Sequence, residues 1–297
     1  MRPRRFFLVS ILVPVLLQHT GFAQQLTPPP AHIPQGWYVY PSEKLKNADE
    51  NTLRCFNYSQ NEWQVMNEGN SVKITDRYQT GEKQDIPQVP SLPPLLRREA
   101  GMPGRTVDSG LRSALHFKNG WLLAYNAGEW GGGLWLTNED GSKTKRILSD
   151  NVRAVIPTDS GILVLSGLAH LAINFGNAFI FSEPNGLDIV LQRAVALDGE
   201  PSAPAKEADG SVLFVTTYGL CRITKSGELE RLTYFPNWTA SQYPNSMAIT
   251  PDGTIFIGMR MFVLKLQASS SGYSGQWLLP DKCRSFSLQQ SGCVCHP

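Results

Sequence analysis

The 297-residue sequence is short of several things at once, and each shortage excludes a class of function. It has no apolar run of the roughly 20 residues that a membrane-spanning helix requires. It has no excess of one charge: 27 basic and 25 acidic residues leave a formal +2, spread along the chain. The basic stripe that a phosphate backbone demands is therefore missing, and nucleic acid is not an expected partner. It also lacks a Gly-x-Ser-x-Gly elbow, a P-loop, a His-Glu-x-x-His helix and a haem-attachment Cys-x-x-Cys-His. The usual supports for hydrolase, phosphotransferase and zinc-protease readings are gone. Helical periodicity of useful length is absent.

The N-terminus has a definite pattern. Arg2, Arg4 and Arg5 precede an apolar stretch from Phe6 to Leu17, and a short polar segment closes on Gly21-Phe22-Ala23. A charged region, a short apolar region and a small-x-small site together make a secretory signal peptide, spanning 1–23. An uncleaved anchor is the competing reading, and a dozen apolar residues is too few for it. No cysteine follows the site to accept a lipid, and Arg4-Arg5 alone is too little for a twin-arginine signal. The expected product is a secreted or periplasmic chain with no transmembrane segment after cleavage.

Export bears on the five cysteines, Cys55, Cys221, Cys283, Cys293 and Cys295. In an oxidising compartment cysteines pair, and the expected bond joins Cys283 to Cys293 or Cys295. Cys221 lies in a strand-like apolar run and fits a buried inert thiol. The cluster Cys293-Val294-Cys295-His296 has the ligand types of a soft-metal site but no second half.

Residues 24–47, with Pro28-Pro29-Pro30 and Pro34, read as an extended leader, because proline denies both helix and central strand. Pro87 through Pro94 reads as a linker or long loop. Between them Trp63-Gln64-Val65-Met66, a turn at Asn67-Glu68-Gly69-Asn70 and Ser71-Val72-Lys73-Ile74 make a weak hairpin.

From residue 113 the chain repeats itself. Strand-turn-strand units carry turn glycines at Gly120, Gly161, Gly210 and Gly253, spaced by 41, 49 and 43 residues. Asn-Gly and Asp-Gly turns suit hairpins because they tolerate positive φ. A second hairpin follows each: Gly133–Leu136 before Asp140-Gly141, Leu171–Ile173 before Phe175-Gly176, Gly219–Ile223 before Ser226-Gly227, and Phe262–Leu266 before a Ser/Gly loop at 268–275. Four short strands every ~40–50 residues is the period of a propeller blade. The expected fold is an all-β propeller of five or six four-stranded blades, forming one domain over 48–297. Within it 48–112 is weakly marked, 113–280 is clearly repeated and 281–297 is a Cys-containing tail. A meandering β-sandwich is the alternative.

The run Pro244-Asn245-Ser246-Met247-Ala248-Ile249-Thr250-Pro251-Asp252-Gly253-Thr254-Ile255-Phe256-Ile257-Gly258 resembles the blade-opening motif of NHL-type and gluconolactonase-like six-bladed propellers. Tyr218–Ile223 followed by Gly227 is similar to their third strand and turn. The resemblance covers roughly the last half of the chain and implies fold far more than activity. It also implies that Asn245 matches a calcium or zinc ligand of the central channel in gluconolactonase-like enzymes. The other ligands of that family have no clear counterpart here, and an asparagine capping a loop before an inner strand is the competing reading.

Loops between the second and third strands of each blade, and between successive blades, emerge on one face of a propeller. Aligned by their turn glycines, the repeats place Glu129 and Trp130, then His170, then Tyr218, then Arg260 in the first kind of loop. The blade-to-blade loops add Asp150, Asn151 and Arg153, then Asp198 and Glu200, then a long stretch from Tyr234 to Tyr243 holding Trp238. Long loops in compact domains are commonly functional. Arg260 offers a fork for an anionic group, Trp130 and Tyr218 offer flat contact surfaces, and His170 offers an imidazole suited to acid or base work. His170 between Leu168 and Leu171 also fits a half-buried strand residue. Asn57 and Asn237 stand in glycosylation patterns that matter only in a eukaryotic secretory pathway.

Two functions follow as expectations. One is a propeller that binds a polar ligand or protein on its loop face without chemistry. The other is a metal-dependent lactonase, hydrolase or lyase, with calcium or zinc at Asn245 and His170 or Glu129 assisting. N-terminal sequencing of the mature protein is expected to begin at Gln24; a chain that still begins with Met1 in the membrane fraction would remove the export reading.

Overall fold

A computed structural model describes residues 33–41, 58–77, 110–234, 242–270 and 272–284. Most of these residues lie in antiparallel sheets. The first sheet pairs β2 (Trp63–Glu68) with β3 (Ser71–Asp76). The second holds β4 (Leu111–Phe117), β5 (Gly120–Asn126), β6 (Gly132–Asn138) and β7 (Thr144–Leu148). The third holds β8 (Val152–Thr158), β9 (Gly161–His170), β10 (Ile173–Phe181) and β11 (Leu191–Leu197). The fourth holds β12 (Ser202–Lys206), β13 (Val212–Val215), β14 (Gly219–Ile223) and β15 (Leu229–Tyr234). The fifth runs β16 (Ser246–Ile249), β17 (Ile255–Gly258), β18 (Val263–Ser269) and β19 (Gly272–Pro280), and β1 (Trp37–Tyr40) pairs outside β19. Apart from β1, strands are adjacent in sequence order within every blade, and the chain is a β-propeller with five blades among the described residues.

The burial gradient across each blade explains the residue choice. Middle strands such as Val212–Val215 and Ile255–Gly258 are buried on both faces and read as unbroken apolar runs. Both faces are covered because each blade packs between two neighbours. Alternate residues therefore belong to different cores: Ile162 and Val164 pack with Leu122 and Leu134 of the second blade, while Leu163 and Leu165 pack with Val212 and Phe214 of the fourth. Outer strands are only partly buried; Leu229–Tyr234 exposes Glu230 and Arg231, charges that guard its free edge, and Leu191–Leu197 exposes Gln192. The ring closes where Trp63 and Val65 of β2 join Ala248, Phe256 and Val263 in one cluster.

Three expectations are corrected. Trp37–Tyr40, inside the proposed leader, is a strand in register with Trp277–Pro280. The turn expected at Phe175-Gly176 falls within β10, and the hairpin turns instead at Leu171 and Ala172. Gly176 is required for another reason: a Cβ there would meet the Gly199 carbonyl oxygen at 2.2 Å. The Ser/Gly loop expected over 268–275 is a tight hairpin, with β18 running to Ser269 and β19 starting at Gly272. The stretch Pro87 through Pro94 lies outside the described residues.

Cys283 is buried and disulfide-bonded, with a partner outside the described residues, where Cys293 and Cys295 also lie. Cys221 is free and packs between the third and fourth blades. Burial pushes its thiol from the ordinary 9.0 up to about 11, with Asp198 adding to the shift and Arg231 opposing it. The unfolded thiol thus ionises first, so stability is predicted to fall as pH rises from 9.0 towards about 11. At pH 8 a thiol reagent should label Cys221 only after denaturation; rapid labelling of native protein would contradict this packing.

Candidate binding site at the channel mouth

Innermost strands β4, β8, β12 and β16 all start at the same face, the one that carries the loops singled out above. At three of these starts the pairing with the second strand slips by a β-bulge: between Leu111 and Ser113, between Val152 and Ala154, and between Ser202 and Ala205. A bulge leaves its extra residue out of the ladder and re-aims its side chain. The residues so freed are Arg112, Arg153 and the pair Ala203-Pro204, and all line one cavity of about 500 Å³ at the channel mouth. Arg77, Arg260, Glu62, Glu200, Tyr243 and Asn245 complete its charged and polar rim. Farther along β8 the wall becomes apolar, with Ala154, Val155 and Ile156.

Glu62 organises one side of this rim. Its buried carboxylate accepts from Arg77 Nη1 at 2.6 Å and from Asn245 Nδ2 at 3.3 Å, and pairs with Arg260 Nε at 3.7 Å. Asn245 Nδ2 also donates to the Trp63 carbonyl at 3.1 Å, while its Oδ1 accepts from the Ser246 hydroxyl at 2.7 Å. Tyr243 lies flat against Arg260, with the guanidinium carbon 4.0 Å from the ring centroid. Across the cavity Arg153 pairs with Glu200 at 3.0 Å. Burial is the main reason that the Glu200 carboxyl is held above the usual range, and Arg153 and the Ala169 backbone oppose it. Arg112 has no carboxylate among the described residues; its Nε donates to the Asn126 carbonyl at 3.3 Å. Desolvation, then the charges of Arg153 and Arg77, push its guanidinium below the ordinary arginine value.

Backbone strain concentrates here. Among the described residues four non-glycine residues have positive φ: Leu171, Ala203, Tyr243 and Met261. Ala203 and Tyr243 line the cavity, and Met261 follows Arg260. Such conformations cost of order 1–3 kcal/mol each and gather where function over-determines the backbone.

The expected loop ring is only partly assembled. Arg260 lines the cavity, and His170 Nε2 meets Glu129 Oε2 at 2.9 Å, both half exposed. That pair lies outside the cavity, as do the exposed Trp130 and Tyr218; Tyr218 stacks on Tyr234 instead. The reason is radial. A loop between the second and third strands starts one strand spacing, ~4.8 Å, farther from the axis than the start of the first strand. Trp238 lies outside the described residues. Arg153 and Glu200 were visible in the blade-to-blade loops, whereas Arg77, Arg112 and Glu62 were missed. Leu111-Arg112 and Val152-Arg153 share one local feature, a polar residue directly after the first apolar residue of an innermost strand, whereas Arg77 and Glu62 carry no such signal.

The residues do not fit a divalent cation at Asn245. Its amide nitrogen, not its oxygen, faces Glu62, its oxygen is taken by Ser246, and four guanidiniums share the cavity. Among the described residues no three of His, Cys, Asp and Glu converge as a metal group. None of the described helices is long and apolar enough to cross a membrane.

Fold and site together define a β-propeller with a basic cavity at one channel mouth. No family model and no curated protein matches the chain. Among solved structures it is similar to a luciferin-regenerating enzyme, at 8% identity and TM-score 0.40 over 57% of this chain and 62% of that one. It is also similar to virginiamycin B lyase from Staphylococcus aureus with quinupristin, at 14% and 0.37 over 56% and 55%. A third is a gluconolactonase from Xanthomonas campestris, at 12% and 0.33 over 60% and 58%. The chain thus spans 55% to 62% of the length of these three. At such identities and scores none of them assigns it an activity.

Removing the Glu62 charge strands two guanidiniums beside a buried amide. Glu62→Gln is expected to cost about 2–3 kcal/mol in urea denaturation, less than a fully buried pair because Arg77 is half exposed. A loss under about 0.5 kcal/mol would show that this carboxylate does not organise the rim.

Proposed function

We propose that this chain is an exported β-propeller that takes up a small ligand in the cavity at its channel mouth and performs no chemistry on it. The observation that carries this reading is the composition of the rim. It holds no histidine, cysteine or lysine among the described residues, and both its carboxylates, Glu62 and Glu200, are engaged by guanidiniums. A nucleophile with its base is therefore not assembled there. Signal cleavage after Ala23, a secreted or periplasmic location, and a bond from Cys283 to Cys293 or Cys295 belong to the same proposal.

A lactonase or lyase reading is favoured by one feature, the Glu200 carboxyl held above the usual carboxylate range by burial, since carboxyls shifted in this way in a cleft serve as acids and bases. The metal such a reading would place at Asn245 does not suit the amide's orientation or the surrounding positive charge.

Mature protein incubated with a small-molecule extract of culture medium, then desalted and denatured, is expected to release one retained compound unaltered, as read by mass spectrometry. Ala169→Trp, which narrows the mouth, should retain none while keeping the wild-type circular dichroism spectrum. Consumption of a compound with appearance of its product, abolished by Glu200→Gln, would replace the binding reading with the enzymatic one. Retention of nothing by wild type would overturn both uses of the cavity.

A further inference from the structure

We propose that the ligand of this cavity is a small organic dianion: one or two oxyanion groups, carboxylate or phosphate, carried on an apolar body. The inference rests on the cavity's being the binding site and names the chemistry that it accepts. Four guanidiniums line the cavity, of Arg77, Arg112, Arg153 and Arg260, against two carboxylates, Glu62 and Glu200. Among the described lining residues the positive charges exceed the negative ones by two, and the remaining lining groups are neutral.

The excess is not evenly spread. Glu62 serves Arg77 and Arg260, and Glu200 serves Arg153, so Arg112 stands without a counter-ion among the described residues. Its Nε is tied back to Asn126, and its remaining donors have no protein partner there. The bulge at Arg112 and the matching one at Arg153 bring two like charges to neighbouring strand starts. Two like charges held together with a counter-ion for only one of them are costly, and an oxyanion between them removes that cost. Guanidinium forks match carboxylate and phosphate oxygens in geometry as well as charge.

Shape supplies the second half of the chemistry. The cavity volume of about 500 Å³ lies within the span typical of small-molecule sites. Its charges ring the mouth, while Ala154, Val155, Ile156 and Pro204 line the wall farther along their strands. An inorganic ion would leave that apolar wall unused; an organic anion would cover it.

The test is isothermal titration of the mature protein with adipate, hexyl phosphate, the neutral adipamide and inorganic phosphate. Adipate, hexyl phosphate or both should bind more tightly than adipamide and inorganic phosphate, and weaken in 0.5 M salt. Binding of adipate alone assigns the carboxylate source, and binding of hexyl phosphate alone assigns the phosphate source. Arg112→Gln should weaken the binding by about tenfold or more, and Arg112→Lys by less. Without ligand, Arg112→Gln should melt at or above the wild-type temperature, because it relieves repulsion; a folded, equally stable variant that no longer binds is the decisive result. Equal binding of adipamide and adipate, or unchanged binding in Arg112→Gln, overturns the dianion while leaving the cavity a binding site. Failure of both organic anions, in a protein whose cavity retains another compound from the extract, overturns it as well.

Discussion

The buried carboxylate of Glu62 joins the parts of the chain that must meet for the ring to close. It stands at the start of β2, yet its partners come from the end of β3, from the loop before β16 and from the loop between β17 and β18. The backbone follows the same route: Trp63 donates its N–H to the Met259 carbonyl, and Arg77 donates to the Glu62 carbonyl. One carboxylate among two guanidiniums and an amide is fully used by protein, so it fixes geometry without being free to react. The rim above the channel inherits its positions from this closure.

Propeller architecture then separates two environments by distance along a strand. The middle strands of each blade are enclosed by neighbouring blades and are mostly apolar, wholly so in β13 and β17. The innermost strands see the channel, and their first residues see solvent at its mouth. Bulges at those first residues turn Arg112 and Arg153 out of the hydrogen-bond ladder at equivalent places in two blades. The fourth blade uses the same irregularity to place the small Ala203, which leaves room in the cavity that a third arginine would fill.

Repeats were legible because turn chemistry and apolar runs are local properties. Gly253 has positive φ in its turn, as its Asp-Gly context implies, and Asp252 secures that turn by accepting from the Thr254 N–H. Glycine was misleading at Gly176, where the demand comes from a backbone approaching from Gly199, a contact between distant positions. The site was less legible for the same physical reason. Arg77, Arg112, Arg153 and Arg260 meet only because a strand end, two strand starts and a loop come together at one mouth, and a polar residue after an apolar one does not by itself announce that a bulge will turn its side chain inward. His170 and Glu129, on neighbouring loops, meet at a radius where their pairing faces bulk solvent.

Strand β1 sets a requirement on the order of events in folding. It adds to the outer edge of β19, so Trp37 faces Pro280 across almost the whole chain, and Trp37 also packs edge-on against Trp63. A ribosome delivers β1 first and its partner last. Until then an apolar, hydrogen-bond-hungry strand has nothing to pair with, while four consecutive sheets can form from near neighbours. The last step is thus a contact of very high sequence separation, which is the slow kind. An N-terminal segment that stays soluble and unpaired during that wait is as much a condition of this fold as any residue in its cores.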